Sequence, residues 1–389
     1  MKYPEYVAKI ISRFEANGES AFIVGGSLRD MLLGIEPHDY DVATSALPQK
    51  TLELFSDKRV IETGIKHGTV TVIWDGAPVE ITTFRVDGGY TDSRHPDSVS
   101  FTSDITADLS RRDFTVNAMA YNQSVGLVDA FGGREDIKNG LIRAVGEPSR
   151  RFGEDALRIM RAFRFAAQLG FEIEEKTLVG ARECAEGLVN IARERIASEL
   201  LRLIASPYPK RSLELMRDNG ILPYLFGDYE PSESVIGGIE DMTRSEAARL
   251  GFVLSEAKTQ TAKEIISSLR LSNKLATGAL AVARGAGFNV SNAEDARRLI
   301  ANTGVYAEDA ARASEILGVS PRGAVEITAR QKNTPCSVRD LQINGKDLAA
   351  LGFSGKSIGE TLNALLERVI ITPEINQKEA LLDIAKERL

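Results

Sequence analysis

The chain is poor in the residues that build extracellular or metal-rich folds. Its 389 residues include two cysteines, Cys184 and Cys336, far apart in sequence. Neither a disulfide framework nor a Cys-rich zinc site can be made from them. The three histidines, His38, His67 and His95, are scattered. That argues against a histidine-rich metal centre and against an HD-type phosphohydrolase domain. No stretch approaches the roughly 18 uncharged apolar residues of a membrane span. Residues 1–18 read as an amphipathic helix rather than a secretion signal, so a cytoplasmic protein without membrane contact is expected. Internal repeats and low-complexity tracts are missing too. Excess positive charge is also lacking, because the net charge is −7. This speaks against general nucleic-acid affinity but leaves room for a local basic face. Between Arg150 and Arg164 five arginines stand against two acids, and acidic stretches such as 230–241 offset them in the total.

The length exceeds one ordinary core, so two or more domains are expected. Strand patterns at 21–24, 39–43, 69–74, 79–84 and 125–129 mix with helical ones up to about residue 140. Beyond about 148 the pattern is helical, as in 155–168, 195–204 and 263–270. Breaks fall near Pro207-Tyr208-Pro209 and near 332–335. The expectation is an α+β head followed by an all-helical remainder. Its divisions are a head at 1–140, a neck at 141–206, a body at 207–332 and a tail at 333–389. The polar segment 86–99, with Gly88-Gly89 and Pro96, reads as a mobile loop.

The stretch AFIVGGSLRDMLLGIEPHDYDVAT, residues 21–44, carries the chemistry. An apolar run meets Gly25-Gly26, where a backbone can turn tightly against a ligand. Ser27 is placed as the N-cap of a helix ending at Gly34. Asp39 and Asp41 follow on a strand, where residues i and i+2 share a face with Cα atoms roughly 6–7 Å apart. Two such carboxylates repel unless a cation lies between them. Mg²⁺ takes one or two protein carboxylates and fills its shell with substrate phosphates. The helix N-terminal N–H groups beside Gly25 and Gly26 suit those phosphates. Residues 66–81, KHGTVTVIWDGAPVEI, read as a hairpin turning at Asp75-Gly76. Its return strand carries Glu80, a candidate third carboxylate or an outward-facing one.

Two further constellations complete the picture. In LSRRDFTVNAMA, residues 109–120, a helix start is expected. There Arg112 and its neighbour could neutralise phosphate, Asp113 could accept from ribose hydroxyls, and Asn117 could face the sugar or a phosphate. In RRFGEDALRIMRAFRF, residues 150–165, helical spacing places Glu154, Asp155, Arg158 and Arg161 on one face. Leu157, Met160, Phe163 and Phe165 fall on the buried side. A Glu154–Arg158 ion pair explains part of this pattern. Base selection explains more. A carboxylate only accepts and a guanidinium only donates. Side by side, Asp155 and Arg158 match the amino-plus-ring-nitrogen edge shared by cytosine and adenine, and they oppose guanine and uracil.

GGSLRD…DYD, RRDFTVNAMA, EDALRIMRAFRFA, TGIKHGTVTV and FRVDGGYTDSRHPDSVSF together resemble the head and neck motifs of bacterial class II CCA-adding enzymes, the tRNA nucleotidyltransferases. The resemblance is strong over residues 20–170 and weaker in the tail-like INGKDLAALGFSGKSIGETLNALLERV. It implies a polymerase β-like head. Asp39 and Asp41 would hold two Mg²⁺ ions, with Gly25, Gly26, Ser27 and Arg29 cradling the triphosphate. Arg112 would touch phosphate and Asp113 the ribose. Glu154, Asp155 and Arg158 would form an amino-acid template for CTP and ATP, while Arg161 and Arg164 would reach the triphosphate. The 86–99 loop would belong to the switch from C to A. The helical parts would hold the acceptor and TΨC arm of tRNA by shape. The rivals are an enzyme adding only C or only A, a poly(A) polymerase, whose Gly-Arg-Arg-Phe-like motif is not found here, and a non-catalytic RNA-binding relic.

Overall fold

The computed structural model describes residues 1–88 and 99–388. Most of segment 86–99, with His95, therefore lies outside the described residues. The chain divides into two compact units. One comprises residues 1–203 and 215–224, the other 204–214 and 225–389.

In the first unit the strands are β1 (Ala21–Val24), β2 (Tyr40–Thr44), β3 (Arg59–Ile61), β4 (Thr69–Trp74), β5 (Ala77–Thr83), β6 (Arg85–Asp87), β7 (Val99–Phe101), β8 (Ala120–Asn122), β9 (Gly126–Val128), β10 (Leu141–Ile142) and β11 (Glu172–Ile173). Among the described residues seven of them form one mixed sheet in the order β3-β4-β5-β2-β1-β8-β9. β2 and β5 run parallel, and every other neighbouring pair in it is antiparallel. β6 and β7 pair as a separate ribbon, with Arg85 opposite Phe101 and Asp87 opposite Val99.

Period-2 alternation builds a core on both sheet faces. Ala21 and Ile23 of β1 pack with Val7, Ile10 and Phe14 of helix Glu5–Glu15. Phe22 and Val24 pack instead with Phe84, Leu109 and Val145. β4 shows the same logic, burying Val70, Val72 and Trp74 on one side. The β4–β5 hairpin turns at Asp75 and Gly76, both at positive φ (50° and 86°). A two-residue turn of this kind demands that, and glycine supplies it most readily.

Three sequence expectations need correction. The expected helix start within 109–120 is one 3₁₀ turn, Thr115–Asn117, leading into β8. Strands do not vanish after residue 148, because β11 pairs in parallel with β10. The continuous helix at 155–168 is broken at its first residue. Helix Pro148–Glu154 ends, Asp155 is extended (φ −149°, ψ 104°), and a new helix runs Leu157–Leu169.

The second unit is helical throughout its described residues. Arg249 is 1% exposed and donates to the carbonyls of Ile204, Ser206, Glu240 and Met242. Arg297 likewise donates to the carbonyls of Ile370 and Ile371 at the end of helix Lys356–Ile371. In each case a buried charge is offset by several carbonyl acceptors. No helix among the described residues is long and apolar enough to cross a membrane.

Candidate functional site

The site begins where β1 ends. Helix Gly25–Leu32 starts directly after Val24, with no side chain capping it. The expected N-cap, Ser27, instead sits inside the helix. It is 2% exposed, its hydroxyl donates to Val24 O (2.9 Å), and it accepts from the Asp41 N–H (3.5 Å). Ser27 thus ties β1 to β2 and leaves the first helical N–H groups open, which is the arrangement anions use. Gly25 has φ +70°, and a Cβ there would lie 3.0 Å from Arg112 Nη1 and 3.4 Å from Asp41 Oδ2. Only glycine lets the backbone pass between that cation and that carboxylate.

Register aligns the acids. Asp41 of β2 stands opposite Val24 of β1 and opposite Glu80 of β5. Asp39 lies just before β2 and is exposed, as is Glu80. Burial, then the charges of Asp39 and Glu80, lift the Asp41 carboxyl to about 6, against the pull of Arg112. Neighbouring carboxylates of this kind favour a cation between them. Among the described residues no group of three or more His, Cys, Asp and Glu side chains is placed to hold a metal alone. This donor set suits Mg²⁺, which needs few protein carboxylates when phosphates complete its shell.

Arg112 joins this corner to an open cavity of about 360 Å³ lined by Arg111, Arg112, Asp113, Asp155, Leu157, Arg158, Arg161 and Arg195. Burial drives the Arg112 pKa down, opposed first by Asp108. Asp113 accepts from Arg161 (2.7 Å), from Asn117 Nδ2 (3.3 Å) and from the Phe114 N–H (2.9 Å). Burial alone would raise its pKa, but Arg161 and these hydrogen bonds bring it to about 2. Asn117 Oδ1 accepts from Arg29 Nη1 (2.9 Å), and Arg29 also donates to Asp30. Phe165 serves as a common platform, with the guanidinium carbons of Arg29, Arg161 and Arg164 5.2, 5.2 and 4.0 Å from its ring centre. Such contacts hold cations through the ring quadrupole.

The two expected base-reading groups line the cavity without pairing with each other. Because Asp155 is not helical, its Oδ1 accepts from the Leu157 N–H (3.0 Å) and its Oδ2 from Arg195 Nη2 (3.0 Å). Arg158 is oriented from behind, donating to Glu154 Oε2 (2.7 Å) and to Arg151 O (3.0 Å). The i,i+4 ion pair Glu154–Arg158 is therefore present, and it fixes the position of Arg158. Glu154 also takes Arg151 (2.7 Å). Arg164 is not brought to the cavity. It is 6% exposed and donates to Glu199 and to Gln168 Oε1 (2.8 Å). One cavity arginine, Arg195, was not singled out from sequence. Arg195 begins an Arg-Ile-Ala-Ser-Glu run on helix Arg193–Ile204, where it reads as an ordinary i,i+4 partner of Glu199.

Comparison with known proteins adds kinship to this geometry. Residues 21–143 match the family described as Poly A polymerase head domain, and residues 170–232 match a probable RNA and SrmB- binding site of polymerase A. A CCA-adding enzyme from Levilactobacillus brevis is 36% identical over 97% of this chain and 96% of its own length. The crystal structure of the Bacillus stearothermophilus CCA-adding enzyme in complex with CTP superposes with a TM-score of 0.81 at 31% identity, covering 100% of this chain and 98% of that one. The Thermotoga maritima CCA-adding enzyme complexed with tRNA_CCA matches with a TM-score of 0.70, covering 100% and 96%. At 23% identity it speaks for the fold alone.

Proposed function

This chain belongs to the CCA-adding enzymes, the tRNA nucleotidyltransferases, and we propose that it adds C, C and A in turn to the 3′ end of tRNA without a nucleic-acid template. The observation that supports this most is the continuity of an acidic sheet corner with an arginine-lined cavity through Arg112. A nucleoside triphosphate needs both, an electropositive pocket for its phosphates and carboxylates for the cation that accompanies them.

In this reading Asp39 and Asp41 hold Mg²⁺, and Glu80 adds negative charge from the facing strand. When bound, the metal would lower the pKa of the attacking tRNA 3′-hydroxyl and neutralise the leaving pyrophosphate. Gly25, Gly26 and Ser27 present backbone N–H groups to the triphosphate, while Arg29 and Arg112 hold it by charge. Asp113 accepts from the ribose, and Asn117 keeps Asp113 and Arg29 in place. Arg161 reaches the phosphates, and Arg164 supports it through Glu199. Asp155 accepts the exocyclic amino group of cytosine or adenine, and Arg158, aligned by Glu154, donates to the adjacent ring nitrogen. Guanine and uracil would leave these groups unpaired, at about 1–3 kcal/mol each. The protein's work is then largely positioning and charge stabilisation.

We further propose the fourfold division of head, neck, body and tail at residues 140, 206 and 332. The helical second unit would hold the acceptor and TΨC arm of a cytoplasmic tRNA. An enzyme adding only C or only A is the alternative. The two are separated by extending a tRNA ending at its discriminator base with CTP, with ATP and with both.

A further inference from the structure

Asp108 belongs to none of the motifs above, yet it sits behind the cavity wall. It is 1% exposed, on the short helix Ile105–Ser110. Its Oδ1 accepts from the backbone N–H of Arg85 (3.2 Å), the first residue of β6, and from Arg111 Nε (3.0 Å), with Arg111 Nη2 2.9 Å away. Its Oδ2 faces Arg112 Nη2 at 3.6 Å, too far for a hydrogen bond. That oxygen and Arg112 Nε are both buried without a hydrogen-bond partner among the described residues. One carboxylate therefore treats two adjacent cavity arginines differently. Arg111 is locked by directed hydrogen bonds, whereas Arg112 is tethered to Asp108 by charge alone.

This asymmetry has a chemical use. An arginine already saturated by hydrogen bonds has no donors left for phosphate, and one with no counter-charge is costly to bury. Charge at 3.6 Å offsets the burial cost, and Arg112 Nη1, beside Gly25 and Asp41, is held only by a 3.3 Å hydrogen bond to Asn117 O.

We propose that Asp108 is a positioning residue for the triphosphate, holding Arg112 at the junction of cavity and acidic corner while anchoring Arg111 to the start of the β6–β7 ribbon. The inference rests on the reading of the cavity as a nucleotide site. Replacing Asp108 by Asn keeps the shape and an acceptor for Arg85 and Arg111, but turns an amide donor toward Arg112.

The test is a double-mutant cycle on CTP binding, measured by titration calorimetry on the full chain in Mg²⁺ without tRNA. Asp108→Asn and Arg112→Ala should each weaken CTP roughly tenfold. The double variant should bind no more weakly than Arg112→Ala alone, because without Arg112 there is nothing for Asp108 to position. A purely structural role would lower the melting temperature without that coupling. Wild-type CTP affinity in a folded Asp108→Asn, or full additivity in the cycle, overturns the proposal. Wild-type affinity in Arg112→Ala overturns the nucleotide-site reading instead. If Asp108→Asn does not fold, Asp108→Glu takes its place in the cycle. It keeps the charge on a longer arm and should weaken CTP in the same Arg112-dependent way.

Discussion

Two aspartates in the same unit, Asp41 and Asp113, are displaced in opposite directions. Asp41, on the sheet corner, is raised to about 6 by burial and by Asp39 and Glu80. Asp113, in the cavity wall, is buried as well, yet Arg161 and its hydrogen bonds bring it to about 2. Burial acts alike on both, so the difference is the balance of nearby charge. Asp113 has Arg161 at hydrogen-bond distance, whereas at Asp41 the charges of Asp39 and Glu80 outweigh the pull of Arg112. The cavity is thus electrostatically finished within the chain, while the acidic corner is not.

The comparison can be broken at either end. The largest effect is expected at the unfinished corner, where Asp39→Ala or Asp41→Ala should lower nucleotide transfer by at least about a thousandfold with tRNA affinity nearly intact. Single-turnover extension alongside a filter-binding titration would show it, and equal loss of both would contradict the metal assignment. At the finished end, Asp113→Asn should cost about 2 kcal/mol at pH 7, since it removes the close counter-charge of half-buried Arg161, which keeps only Glu199 at 3.9 Å. Its folded pKa lies below the unfolded one, so the stabilisation is present above pH 4 and fades as pH falls toward 2. Urea unfolding of wild type and variant at pH 7 and pH 3 should therefore show a narrowing gap.

Base selection comes next in size. Asp155→Ala or Arg158→Ala should raise incorporation of UMP or GMP relative to CMP roughly ten- to a hundredfold. Unchanged C/A preference in either variant would sink the template reading. The smallest effect sharpens the contrast. Because the folded pKa of Asp41 is raised, its proton stabilises the metal-free fold at low pH, and that contribution is lost as pH rises through about 6. Mg²⁺ competes with that proton. Its thermal shift should be a few degrees at pH 7.5, smaller at pH 5.5 and absent in Asp41→Asn.

What was legible in the sequence follows from how local its causes are. β1 and β4 span the residues that alternation and turn chemistry assign, because Gly25 and Asp75-Gly76 end them locally. Leu157, Met160, Phe163 and Phe165 are buried as their helical spacing requires. The break at Asp155 was not legible, since helical periodicity runs on through Glu154–Phe165. What opens it is an aspartate accepting from the Leu157 N–H and, forty residues away, from Arg195. Arg195 itself escaped because nothing near it in sequence points to Asp155. Ser27 was misassigned for a related reason. Its hydroxyl is claimed by strands β1 and β2 before the helix can use it.

In the proposed function one site adds both bases to tRNA in a fixed order. A tRNA transcript ending at the discriminator base, incubated with Mg²⁺ and with CTP, ATP or both, followed by sequencing of the 3′ ends, tests it most directly. Two Cs from CTP alone and a stop at CCA from the mixture are the predicted result. Long A tails on any RNA, addition of only one base, or no Mg²⁺-dependent incorporation would contradict it.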